Sequence, residues 1–426
     1  MANNLSSNVM TKVMKSIAAG FESNRVSTKT VNLNNIRGEH NSSTGDTIYH
    51  KRKTSYKSAE TAAGDVSGGS ADNDILVGRI PFTRQNVITV KTQWDTVEEA
   101  LELNQLDQLL MPMGEELITA AERNFNDYMI KNSGLTFGTP GTAVDAWTDV
   151  AYVEALMNEI GVPSNGKKYY QMNSYTGAAL ASASTAIYND GIVKTAWEQA
   201  QVPSPFAGMM ALKSNALRTI TSGNAAGDRA GALNGAPDVT WATAKDTMTQ
   251  VLTVDGFGAN TTIKAGEVIE LTGKYHVNPR NGNTLIDETG ASVLWRWTVV
   301  SDATLDGTGA GTVTVTNAAI FDAASNNQYD NISAAPADND VITILGADTT
   351  VYKPNLAYHQ DAFSFATIQL PKLYATDSVY QSADGLTFRA SRYADGNANQ
   401  QILRVDLVPA FGVSNPLHAV RCYGKA

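Results

Sequence analysis

Apolar residues recur every four positions near the N-terminus: Leu5, Val9, Val13, Ile17 and Phe21, with Met10 and Met14 beside them. That spacing predicts an amphipathic helix over residues 3–21 whose apolar stripe needs a covering surface. The cover is either the helix's own domain or a neighbouring molecule reached by an arm. Further on, Val97, Leu101, Leu106, Leu109 and Leu110 form one helical stripe. Leu117, Ile118, Ala121, Phe125, Tyr128 and Met129 form a second. Pro112 lies between them and predicts a break, with a long helix over 113–132 ended by Asn132-Ser133-Gly134. From Trp147 to Asn215 helical periodicity alternates with short strands such as Lys168–Met172, which is α/β or α+β material.

At about residue 222 the composition shifts to Thr, Gly, Ala and Val. Strands are predicted at Met248–Val254, Glu267–Leu271, Val293–Val300, Thr312–Thr316 and Val341–Leu345, with Gly, Asn or Asp turns between them. In Val293–Val300, Trp295, Trp297 and Val299 share one face, and Arg296 and Thr298 the other. Short strands at this spacing predict a small antiparallel barrel, with Trp241, Trp295 and Trp297 as core candidates. Mixed patterns resume at Tyr352, so the barrel interrupts the preceding domain. Hairpin-like strands around Asp384-Gly385, Asp395-Gly396 and Gln401–Leu407 close the chain.

Residues 38–78 lack either period. Gly, Ser and Asn flank a basic patch of Lys51, Arg52, Lys53 and Lys57. Alternation in Thr47–His50 and in Val87–Val90 predicts two strands closing a long hairpin. A loop this long is functional or disordered. The segment 98–127 is its electrostatic opposite. Glu98, Glu99, Glu102, Asp107, Glu115, Glu116, Glu122 and Asp127 stand there against Arg123 alone.

Composition narrows the function classes. The chain has 426 residues and a net charge of −10, so bulk charge disfavours gripping a nucleic acid duplex. One cysteine, Cys422, excludes a disulfide framework within the chain. The five histidines show no i, i+3 or i, i+4 pair, so no helical zinc motif is present. No apolar run reaches the roughly 18 residues of a membrane span, and the short apolar stretch after Lys15 does not make a signal peptide. These features suggest a protein that is cytoplasmic when made. No P-loop or nucleophile elbow occurs. Gly307-Thr308-Gly309-Ala310-Gly311 precedes a strand, so it reads as a hairpin turn and not a phosphate cradle. Asp72-Asn73-Asp74 and Asp338-Asn339-Asp340 read as turns, lacking calcium-loop spacing. Neither an enzyme nor a cofactor or metal site is therefore expected.

The order of elements resembles the tailed-phage major capsid protein of the Hong Kong ninety-seven type. Several segments sharpen it towards P-twenty-two-like coat proteins with an inserted domain. They are Glu98–Leu101 up to Pro112, Val193–Glu198, Phe206–Gly208 with Ser214-Asn215, Ile263–Glu267, Lys353–Leu356 and Arg404–Leu407. The resemblance implies an α+β phage capsid fold with an inserted antiparallel β-barrel. Its parts map to an N-terminal arm at 1–37 and an extended loop at 38–92. A peripheral domain with a spine helix covers 93–145 and 384–426, and an axial domain 146–222 and 351–383. The inserted barrel is 223–350.

The implied function is an icosahedral shell of hexamers and pentamers around double-stranded DNA, held without specific binding. It also implies a scaffolding protein, a portal protein, no membrane partner, a procapsid that matures on packaging, and assembly in the host cytoplasm before residence in the virion. In that family the extended loop lies over a neighbour's peripheral domain. Lys51, Arg52, Lys53 and Lys57 are then expected to meet Glu98, Glu99, Glu102, Glu115, Glu116 and Glu122 between subunits, with Val9 and Val13 as arm contacts. The Thr- and Gly-rich barrel leaves a phage tail or surface adhesin as the alternative.

Overall fold

The computed structural model describes residues 6–33, 45–68, 72–95, 106–184, 190–224, 229–374 and 377–425. Its contacts cluster into two units, each discontinuous in sequence: residues 1–49, 81–126 and 363–412, and residues 50–80, 127–362 and 413–426.

In the first unit the N-terminal helix Ser6–Ser23 buries Val13, Ile17 and Phe21. Phe21 packs on Phe388 with ring centroids 5.3 Å apart. The apolar stripe is thus covered by its own unit at Val13; the side chain of Val9 lies outside the described residues. The long helix runs Leu106–Lys131 with Pro112 inside it, so the expected break is absent. A proline costs a helix one hydrogen bond. Leu110, Met113, Leu117 and Ile118, all buried around it, offset that loss. The two helices cross in near backbone contact. A Cβ on Gly114 would lie 2.0 Å from the Ile17 carbonyl oxygen, and one on Gly20 would lie 2.2 Å from that of Met111. Phe125, Phe365 and Phe411 form the adjoining aromatic core, with centroids 5.1 to 5.7 Å apart.

A sheet ordered Ser378–Gln381, Thr387–Asp395, Gln400–Leu407, Ile88–Asp95 flanks this core. The expected loop hairpin is corrected here. Thr47–Lys51 neighbours Arg79–Arg84, whereas Ile88–Asp95 pairs with Gln400–Leu407. Alternation marked both strands but could not choose their partners, because register is set by the sheet each strand joins.

The second unit holds a sheet ordered Leu135–Phe137, Ala419–Cys422, Asn355–His359, Lys168–Met172, Met210–Lys213. Helices Trp147–Glu159, Ser174–Ser184 and Asp190–Gln199 belong to the same unit, and a core of Val150, Val153, Met157, Leu180 and Tyr170 joins helices to sheet. The chain enters and leaves the barrel side by side: the Ser222 N–H donates to the Thr350 carbonyl at 2.9 Å, and that of Thr349 to Gly223 at 3.1 Å.

The barrel is closed and antiparallel, in the order Val268–Tyr275, Leu294–Val299, Gly311–Thr316, Thr249–Asp255, Ala230–Leu233, Val341–Ile344. Each strand pattern read from the sequence is present, and the small residues of Ala230–Leu233 hid the strand that completes the ring. Trp295, Trp297 and Val299 are fully buried inside. Trp241 is buried elsewhere, in a satellite cluster with Ala244, Met248, Ala318, Ile320 and Tyr329. The outward face of Leu294–Val299 is also covered. Thr298 Oγ1 donates to the Ser133 carbonyl at 2.8 Å, and Arg296 Nη1 to that of Thr136 at 3.2 Å, while Arg296 pairs with Glu270 at 2.7 Å. Arg421, fully buried, donates to Thr298 Oγ1 at 2.7 Å and to the Gly266 carbonyl.

The helix crossing gives a direct test. Gly114→Ala should destabilise the unassembled subunit by about 1–3 kcal/mol in urea unfolding, because backbone and not a flexible side chain opposes the methyl. Gly396→Ala, where nothing lies within 4 Å of the added carbon, should stay within about 0.5 kcal/mol.

Candidate functional site

The basic patch divides. Lys51, Lys53 and Lys57 are exposed, but Arg52 is only 8% exposed. Its guanidinium donates to the carbonyls of Lys245 at 2.9 Å, Asp246 at 3.2 Å, and Ser414. Burial, partly offset by the Asp246 carboxylate, lowers its pKa to about 10. Arg52 therefore remains a cation at neutral pH, committed within its own chain and not offered to a neighbour.

The acidic helix divides likewise. Glu116 is exposed and Glu115 half-buried. Glu98, Glu99 and Glu102 lie outside the described residues. Glu122 is buried at 1% exposure. Its carboxylate accepts N–H bonds from Val26, Ser27 and Thr28 at 2.9 to 3.0 Å and the Thr28 hydroxyl at 2.7 Å. It thus satisfies the start of the turn Ser27–Lys29, so the expected inter-subunit role is withdrawn. The sequence carried a signal for this: Glu122 stands four residues after Ile118 and three before Phe125, on the apolar face.

A set of residues missed by sequence reasoning holds the loop between strands Thr47–Lys51 and Arg79–Arg84. Within the second unit, Gln328 is 1% exposed and uses its whole carboxamide. Its Oε1 accepts the Asp74 N–H at 3.1 Å, and its Nε2 donates to the carbonyls of Asp74, at 3.2 Å, and Ser55. Trp241 and Tyr329 stack with centroids 4.1 Å apart. The indole N–H donates to the Leu76 carbonyl at 2.8 Å and the Tyr329 hydroxyl to that of Asp74 at 3.3 Å. Asn326 Nδ2 donates to the Asp72 carbonyl at 2.7 Å. Inside the loop, the Asn73 carboxamide bonds both the N–H and the carbonyl of Lys57, at 2.8 and 3.0 Å. Of these residues the sequence marked Asn73 as part of a turn and Trp241 as a core residue, and neither reading carried a long-range hydrogen-bonding role.

Several titratable groups are buried. Cys422 is buried, and burial pushes its thiol up. His276 packs on Trp295 at 4.3 Å, and its pKa is lowered to about 3 by burial and then by Arg296. His418 lies 6.1 Å from His359 and is lowered to about 3 by burial, then His359, Arg280 and Lys53, against Asp361. Among the described residues no three His, Cys, Asp or Glu side chains could together hold a metal ion.

Arg52, Glu122 and Gln328 are all spent on ties within the chain. The family model described as P22 coat protein - gene protein 5 matches residues 1–423. A protein named major capsid protein, from Acyrthosiphon pisum secondary endosymbiont phage 1, is 35% identical over 428 residues and covers 100% of both chains. The chain belongs to the P-twenty-two coat protein family. Among solved structures, a chain from Mycobacterium phage Che8 is similar at 12% identity and TM-score 0.47, over 93% of this chain and 90% of that one. The capsid structure of the Cyanophage P-SCSP1u is similar at 11% identity and TM-score 0.44, over 90% and 84%. The assignment rests on the family model and the full-length relative.

Two tests follow from the placement of charge. Glu122→Lys should destabilise the subunit by about 3–5 kcal/mol, leaving buried N–H groups unpaired beside a buried cation, whereas Glu116→Lys should change it by less than about 0.5 kcal/mol. Urea unfolding separates them. For His276 and His418 the folded pKa lies below the ordinary 6.5. The unfolded chain therefore binds more protons between pH 6.5 and about 3, and stability is lost as pH falls through that window. His418→Gln should flatten the decline in melting temperature between pH 7 and 4; an unchanged slope would exclude His418 as a contributor.

Proposed function

We propose that this chain is the major capsid subunit of a tailed phage, and that its copies form the hexamers and pentamers of an icosahedral shell enclosing double-stranded DNA. Full-length identity of 35% to a protein named major capsid protein carries the reading. A scaffolding protein directs closure, a portal occupies one vertex, and the procapsid matures on packaging in the host cytoplasm. A net charge of −10 suits a wall that encloses DNA without gripping it. No catalytic step is assigned to the chain.

In this reading residues 1–37 are the arm and 38–92 the extended loop; 93–145 and 384–426 are peripheral, and 146–222 and 351–383 axial. Residues 223–350 are the inserted domain, a range that contains all the barrel strands, Ala230 to Ile344. With Arg52 and Glu122 committed within the chain, Lys51, Lys53 and Lys57 on the loop and Glu98, Glu99, Glu102, Glu115 and Glu116 are the charges assigned to contacts between subunits. Each exposed pair contributes only about 0–1 kcal/mol, but a shell repeats the contact many times and the pairing governs register and rate.

Expression of the full chain with its scaffold should give closed shells by electron microscopy and fast sedimentation; fibres or monomers alone would contradict the reading. Lys51→Glu with Lys53→Glu should slow shell formation most at low salt, where screening is weakest, and Glu116→Lys should partly restore it. Kinetics unchanged at every salt concentration would reject the pairing.

A further inference from the structure

We propose that the inserted barrel carries a receptor for the main chain of the extended loop, and that this receptor sets the loop's posture for docking onto a second copy of the chain. The loop-holding part stands on contacts within one unit; the docking part rests on the capsid reading above.

The receptor reads backbone, not side chains. Gln328 offers one acceptor and two donors from a buried carboxamide, and it meets both the N–H and the carbonyl of Asp74. That is the pattern a facing residue makes in an antiparallel ladder. Its remaining donor reaches the Ser55 carbonyl, so one side chain holds both limbs of the loop. Asn73 does the same for Lys57 and ties the limbs to each other. Trp241, Tyr329 and Asn326 take the carbonyls of Leu76, Asp74 and Asp72. At the root, a Cβ on Gly78 would lie 2.1 Å from the Lys245 carbonyl oxygen, so no larger residue fits there. Arg52 and Arg79 add bonds to Lys245 and Asp246.

Because main-chain groups are spent on the receptor, side chains beyond the Arg52 root are left outward. Ile75 is 70% exposed and Tyr56 60%, with Val77 beside them. Among the described residues, neither limb between the two root strands forms regular secondary structure, so without the receptor the loop would have to be ordered at the moment of docking, with the entropy cost that carries. A second copy is the occupant that fits: a coat family chain has copies of itself as neighbours, and the exposed cations Lys53 and Lys57 match a chain of net charge −10. The insertion thereby acts on assembly through a loop distant in sequence.

The test uses the full-length, unassembled subunit. Trypsin cleavage after Lys53 and Lys57, and hydrogen exchange at the Asp74 amide, report the loop. Gln328→Ala should speed both at least tenfold while the cooperative melting transition persists; Trp241→Phe, which keeps the stack but removes the N–H, should do so more mildly. Should Gln328→Ala fail to fold, the exposed Asn326→Ala carries the same test. Ser55→Ala and Asp74→Ala should leave protection unchanged, since only main-chain atoms are read. Cleavage unaltered by Gln328→Ala or Asn326→Ala, or equal release by Asp74→Ala, would overturn the receptor. The docking step is read separately with scaffold present. Wild type closing into shells while Gln328→Ala gives aberrant or slow ones supports it. Identical shells from both would overturn it. Wild type that never assembles would sink the capsid reading while leaving the loop contacts intact.

Discussion

Strand Leu294–Val299 buries its inner face fully and its outer face at Thr298, with Arg296 half-buried beside it, and the second unit depends on how that is achieved. Inward, two tryptophans fill the barrel. Outward, Arg296 and Thr298 must find partners, since a polar group buried without one costs on the order of 1–3 kcal/mol. They find them in the carbonyls of Ser133 and Thr136, and in Arg421 near the chain's end. Arg421 holds a buried guanidinium by neutral acceptors, among them Gly266 of the barrel. The insertion is therefore a closed barrel tied to the sheet strands Leu135–Phe137 and Ala419–Cys422 by polar bonds that demand one geometry.

That geometry gives the barrel a fixed flank from which it holds the loop between strands Thr47–Lys51 and Arg79–Arg84. The satellite cluster around Trp241 and Tyr329 is small and apolar beneath, with its polar atoms turned to the loop's carbonyls. Apolar burial supplies the support and hydrogen bonds supply the register. Neither would serve alone: apolar contact does not fix a strand's position, and exposed hydrogen bonds contribute little net stability.

Much of the fold was legible because two periods suffice to mark elements. Trp295, Trp297 and Val299 alternate as a buried strand must, and Ile17 and Phe21 lie on one helix face. Charge was less legible. Arg52 and Glu122 read as members of charged patches facing a neighbouring subunit, yet both are buried and partnered by backbone groups far away in sequence. Composition records charge but not what a side chain reaches across the fold. Pro112 misled for a related reason, since local preference yielded to packing on either side of it. Gln328, beside Asn326 and Asn327, carried no local mark of its role.

The central claim is that this coat subunit enters its shell with its extended loop held by its own inserted barrel. A cryo-electron microscopy reconstruction of the assembled particle, at a resolution that traces side chains, tests it most directly. The account predicts closed shells in which Gln328 and Trp241 meet the main chain of Asp74 and Leu76 from the same subunit, while Tyr56 and Ile75 face a neighbour. A shell whose loop leaves Gln328 for another partner, or whose exposed loop side chains still face solvent, would contradict it.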